Sequence, residues 1–166
     1  VGADSEIGPD CRVHPGVGIG RRVSVGANCV LEPHCRLMDN TVIESLVHVG
    51  ARCVLHGCTI GTGTKLDNIC YIGEGTRVGP HSIHVSKSYL GKRVKTGPYF
   101  LIAAISVIAD DVSLGPLTQV AGHSWVDRSW DEPRLQLAGE PARLLKQEVR
   151  ERALRLRAAK IYKERH

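Results

Sequence analysis

Ile19-Gly20-Arg21-Arg22-Val23-Ser24-Val25-Gly26-Ala27-Asn28-Cys29-Val30-Leu31-Glu32-Pro33-His34-Cys35-Arg36-Leu37 carries an aliphatic side chain at every sixth residue. A small or β-branched residue stands two places before each one. Worked outward, the ladder runs Val1, Ile7, Val13, Ile19, Val25, Leu31, Leu37, Ile43, Val49 and Leu55. One residue is then missing. From Ile60 the count resumes through Leu66, Ile72, Val78, His84, Leu90, Thr96, Ile102, Ile108, Leu114, Val120 and Val126. The fifth place of each hexad is equally ordered, with Cys53 and Thr59 before the slip and Thr64 and Cys70 after it. A fixed short period is the mark of a solenoid, in which each repeat buries its apolar face only against its neighbours. Each hexad predicts one short strand and one corner. Three hexads predict a triangular coil, so about seven coils are expected. The fold class is an all-β solenoid, a parallel β-helix.

Composition agrees. Apolar residues make up 42% of the 166 and aromatics only 4%, so the core must be aliphatic and small. The 18 glycines suit many tight corners. Five cysteines (Cys11, Cys29, Cys35, Cys53 and Cys70) take the small inward place and read as buried hydrophobes. No Cys-x-x-Cys pair is present, and the expected compartment is the reducing cytoplasm. No apolar run is long enough for a membrane span. The chain opens at Val1, already in register, and is expected to be part of a longer protein.

The repeat spans 1–130. Residues 131–141 read as a connecting turn, and 142–166 as a basic C-terminal α-helix. Leu145, Val149, Ala153 and Leu156 form one apolar stripe, and Leu154, Ala158 and Ile161 an adjacent one. The stripe is expected to dock on the solenoid or on sister helices. Residues 141–166 hold nine Lys/Arg and three Glu, a balance of +6, against −1 for the remainder. Such a tail is either a solvated helix face or a surface for an acidic partner.

The hexad ladder over 1–130 resembles the hexapeptide-repeat transferase superfamily. The resemblance implies left-handed winding, a homotrimer, and active sites in clefts between subunits. Gly139-Glu140-Pro141-Ala142-Arg143 resembles the segment that closes many of these helices. Thr64-Lys65-Leu66-Asp67-Asn68 resembles UDP-3-O-acylglucosamine N-acyltransferase, a lipid A enzyme. That family's base lies in an Ile-Ala-His-Asn word, matched here by Ile72-Gly73-Glu74-Gly75, and its second His falls at Asp111. The same stretch resembles the acetyltransferase domain of the bifunctional UDP-N-acetylglucosamine-forming enzyme: Lys65 and Tyr71 match, and the catalytic His falls at Asn68. A second frame begins at Leu90-Gly91, after Ser86-Lys87-Ser88. There Lys95 and Gly97 agree, and Pro98 stands at the His position, where it can transfer no proton.

These resemblances imply an acyltransferase that moves an acetyl or longer acyl group to a nucleotide-linked or phosphorylated amino sugar, as in lipopolysaccharide or cell-wall precursor synthesis. The donor co-substrate would be acetyl-coenzyme A or an acyl carrier protein. The alternative is a non-catalytic assembly domain, such as the C-terminal part of a sugar-phosphate nucleotidyltransferase or a degenerate transferase. Acyl transfer needs a base near neutrality. The candidates are His84, His81, Glu74 and His123, each also open to a structural or surface role. Lys65, Asp67, Asn68, Tyr71, Lys87 and Lys95 are the candidate substrate-binding residues. No metal site is expected, because no histidine pair has the five-residue spacing of the metal-dependent relatives. No bound cofactor and no nucleic-acid partner are expected.

Overall fold

The computed structural model describes residues 1–165, except the side chains of Ile161 and 163–165. The stripe residue Ile161 and the charges of Lys163 and Arg165 therefore lie outside the described residues. The chain is a left-handed parallel β-helix of about seven turns with one C-terminal helix, the architecture that the hexad period predicts. Two-residue strands stack into three faces. The first runs from Glu6–Ile7 to Ser113–Leu114, and the third from Gly18–Ile19 to Trp125–Val126. The second begins at Arg12–Val13, passes through Gln119–Val120, and ends with Gln136–Ala138 and the antiparallel Arg143–Leu144.

The first residue of each strand points out and the second points in. Leu31, Leu37, Ile43, Leu55, Ile72, Leu90 and Ile102 are fully buried along the axis. Burial starts at Val23 and Val25, whereas Ile7 and Val13 are exposed because no coil stacks on their outer side. At most corners a residue in the left-handed region turns the chain, and it is often not glycine: Leu46, Ile69, His81 and Ile105 all have φ near 60°. That conformation is costly for β-branched residues. Its amide is satisfied by the previous coil, as in Leu46 N to Ala27 O (2.9 Å) and Ile69 N to Ala51 O (2.9 Å).

The slip lies in the corner Leu55-His56-Gly57-Cys58-Thr59-Ile60. Strand register changes from 18 residues (Ser24 with Val42) to 17 (Val42 with Thr59) and back to 18 (Thr59 with Arg77). Cys58 is buried at the inward place, and Thr59 is the outward strand residue. This corrects the sequence reading, which put Thr59 inward. The residue is lost before the small position, at the Gly57 turn, so all six cysteines, none of them disulfide-bonded, belong to the inward columns.

The segment 131–141 carries a further strand, Gln136–Ala138, parallel to Gln119–Val120, so the solenoid continues past the point where the hexad ladder stops. The helix runs Leu145–Arg165 and begins three residues later than the sequence suggests, because Arg143–Leu144 is held as a strand by Leu137 and Ala138. It packs mainly on the last two strands, and Leu145 also lines a small cavity with Leu101, Val120 and Leu137. Val149, Leu154 and Leu156 stay exposed, so within one copy the stripe docks on the solenoid only at its first residue, Leu145. Among the described residues no helix is long and apolar enough to cross a membrane.

Candidate functional site

Stacking turns residues far apart in sequence into neighbours. On the second face the outward strand residues form the column Val30, His48, Lys65 and Ile83, each paired in register with the next. One corner column beside it holds Glu32, Gly50, Asp67 and Val85. Gly50 makes a notch in that column, because a Cβ there would lie 2.7 Å from the Asp67 carbonyl carbon. With no side chain at that level, a groove of about 430 Å³ opens between Glu32 and Asp67, lined also by His48, Lys65, Asn68 and Ile83.

Several polar side chains of the groove are held in place. His48 Nε2 lies 3.4 Å from Glu32 Oε1, and Glu32 also faces His14 at 3.9 Å. Asp67 accepts a hydrogen bond from Ser86 Oγ (2.6 Å) and one from the Asn68 amide (2.7 Å). The Ser86 bond, then the Asn68 amide, and more weakly His48, hold its carboxyl below the ordinary aspartate range. Asn68 Oδ1 accepts from the Ala51 amide at 2.8 Å, which leaves its NH₂ facing outward. Lys65 is exposed beside them. The cluster offers a fixed carboxylate, an imidazole near another carboxylate, an exposed ammonium and an amide donor on one open floor. Such a set has the chemistry to bind a polar ligand carrying phosphate or hydroxyl groups and to accept a proton from it.

Of the residues singled out by sequence, Lys65, Asp67 and Asn68 come together here. Tyr71 does not: it stacks on Tyr89 on the third face, ring centroids 4.7 Å apart. Lys95 projects from the first face beside Arg77, and Lys87 sits at a corner above Asn68. The four candidate bases are scattered. His84 lines the groove floor but is fully buried, its ring edge-on to Phe100 at 5.7 Å, with no hydrogen-bond partner on either nitrogen among the described residues. Burial pushes its imidazole down to about 3. It is a core side chain in an aliphatic place and has no accessible nitrogen to serve as a base, which corrects that assignment. His81 is exposed at a different corner, stacked on Tyr99 at 5.2 Å and closing over Gly63. Glu74 is exposed at the corner between the third and first faces, and His123 at a corner three coils beyond Asn68. Asp111, at the place of the lipid A enzyme's second histidine, is locked to Arg93 by two bonds of 2.6 and 2.7 Å. That pairing holds its carboxyl below the usual range.

Glu32, His48 and Gly50 were not identified from sequence. The signal was present: with three hexads per coil and one slip, Glu32, Gly50 and Asp67 fall at the same place in successive coils. Among the described residues there is no group of three or more His, Cys, Asp or Glu arranged to hold a metal.

The model of the GMPPB C-terminal domain family matches residues 1–83, half of the chain. No curated protein matches significantly. Among solved structures, UDP-N-acetylglucosamine acyltransferase from Campylobacter jejuni is similar with a TM-score of 0.57 at 15% identity, over 87% of this chain and 71% of that one. LpxA from Acinetobacter baumannii gives 0.58 at 17%, over 91% and 73%. The acetyltransferase domain of PglB from Neisseria gonorrhoeae, in complex with acetyl coenzyme A, gives 0.51 at 22%, over 82% of this chain and 55% of that one. At such identities these likenesses establish a shared fold. With its first coils matched to a family model and the later coils continuing the same register, the chain belongs to the GMPPB C-terminal domain family and is built as a hexapeptide-repeat left-handed β-helix.

Proposed function

We propose that this chain is an acyltransferase that moves an acetyl or longer acyl group from acetyl-coenzyme A or an acyl carrier protein to a nucleotide-linked or phosphorylated amino sugar, acting as a cytoplasmic homotrimer. The observation that carries this reading is the second-face groove, where Glu32, His48, Lys65, Asp67 and Asn68 converge around the Gly50 notch. Lys65 supplies a cation for an acceptor phosphate, and Asn68 supplies a donor for a sugar hydroxyl or ring oxygen. The fixed Asp67 carboxylate orients an amine. A donor thioester laid along the face has an open floor with Ile83 at its edge. The PglB domain of the same fold, bound to acetyl coenzyme A, supports a donor of that class.

A second reading, a non-catalytic assembly domain, has two observations in its favour. The matching family model is that of a C-terminal domain. The two histidine places of the lipid A enzyme hold an exposed Glu74 and an Asp111 already engaged by Arg93.

Thiol release from acetyl-coenzyme A separates the two readings. The protein is incubated with a panel of UDP- and GDP-linked amino sugars and hexosamine phosphates. Acyl transfer predicts turnover with at least one acceptor and a loss of about tenfold or more for Lys65→Ala, the size of one lost charge-assisted contact. No release with any acceptor from correctly folded protein favours the assembly reading.

A further inference from the structure

We infer that His48, held by Glu32, is the general base of this groove. The inference rests on the acyl-transfer reading and identifies the group that takes the acceptor's proton. The four bases expected from sequence do not fill that role in the groove: His84 is sealed in the core, His81 and Glu74 lie on other edges, and His123 lies on the same edge three coils away. His48 is the one histidine that lines the groove with accessible atoms, its side chain 48% exposed. Its register partner is Lys65, one coil on. A carboxylate stands 3.4 Å from Nε2, within ion-pair range, so a proton on that nitrogen would face Glu32 and leave Nδ1 to accept. This is the orienting acid–imidazole pairing that general-base catalysis uses. Asp67 lines the opposite side of the notch, its carboxylate held by Ser86 and the Asn68 amide.

The step balances. The acceptor amine forms a C–N bond at the thioester carbonyl carbon, giving a tetrahedral oxyanion. As the oxyanion collapses, the C–S bond breaks and the thiolate leaves. Nδ1 takes the proton that the nitrogen sheds and returns it to the thiolate. The products are an amide and a free thiol.

The test follows thiol release from acetyl-coenzyme A, with the acceptor panel above, for His48→Asn, His48→Ala, Glu32→Gln and Glu32→Asp. Thermal unfolding confirms that each variant is folded. His48→Asn is expected to lower kcat by about 10²- to 10⁴-fold, the usual contribution of a positioned base, while KM stays within about twofold. Added imidazole should restore part of the turnover of His48→Ala. Glu32→Gln should lower kcat by about tenfold, with part of the loss recovered in Glu32→Asp, as expected of a positioning residue. Wild-type kcat in His48→Asn overturns the assignment while leaving acyl transfer standing. No turnover by the unaltered protein with any acceptor overturns the acyl-transfer reading itself.

Discussion

His84 shows how a single position departs from the repeat. The hexad ladder asks for an aliphatic side chain there, and the fold buries the imidazole as if it were one. Neither nitrogen is satisfied, so the ring stays neutral far below its ordinary range, down to about 3. The consequence for stability has a definite sign. Below the ordinary histidine range the unfolded chain takes up a proton that the folded chain refuses. The stability contributed by the neutral ring is therefore intact above pH 6.5 and is lost as pH falls toward 3. Between those limits the cost is about 1.4 kcal/mol per pH unit. His84→Leu should remove this slope while keeping the corner filled. Urea unfolding at pH 7 and pH 4.5 checks it: the wild type should lose markedly more stability than the variant, and equal losses would contradict the burial of a neutral ring. The sequence showed that the position was anomalous but not which way the anomaly resolved, because an inward place and a cleft-facing place look the same in a hexad count.

At the scale of the coil, the period was legible almost throughout, because each aliphatic place does the same packing task seven times over. The slip was located one residue late. Cys58 and Thr59 are both small enough for the inward place, and only the register Val42 with Thr59 decides between them. The strand Gln136–Ala138 was not legible, since it follows a loop that interrupts the hexads and gains its partner only by stacking on Gln119–Val120. The site was half legible. Lys65, Asp67 and Asn68 sit in one contiguous word, whereas Glu32, Gly50 and His48 reach them from earlier coils. Gly50 tests this geometry. A methyl group there meets the backbone of Asp67 and Asn68 at 2.7 to 2.9 Å, so the coil must shift. Gly50→Ala should lower stability by about 1–3 kcal/mol in urea unfolding, the range for an overpacked site. It should also weaken acceptor turnover. A variant as stable as the wild type would mean that the coils are looser than this packing implies.

Over the whole molecule, the helix leaves the solenoid after its first turn with Val149, Leu154 and Leu156 exposed. Glu151 of the helix pairs with Arg143 of the last strand and with Arg155 one turn on. Exposed apolar side chains on a helix with no partner in its own copy favour burial against sister helices, as in the proposed trimer. Light scattering should give the mass of three chains, and Leu154→Glu with Leu156→Glu should reduce it. A monomer in the unaltered protein would contradict the assembly. Arg150, Arg152 and Arg157 of that helix would then lie toward a positive end on the trimer, suited to steering an acidic acyl carrier protein toward the grooves.

The groove beside Gly50 is the proposed meeting place of acyl donor and amino-sugar acceptor. A crystal structure with coenzyme A and a nucleotide-linked amino sugar tests it most directly. The acceptor nitrogen is expected within hydrogen-bond reach of His48, and its phosphate or hydroxyl groups on Lys65 and Asn68. Ligands seated instead along the Glu74 and Arg93 edge, with the groove between Glu32 and Asp67 unused, would contradict it.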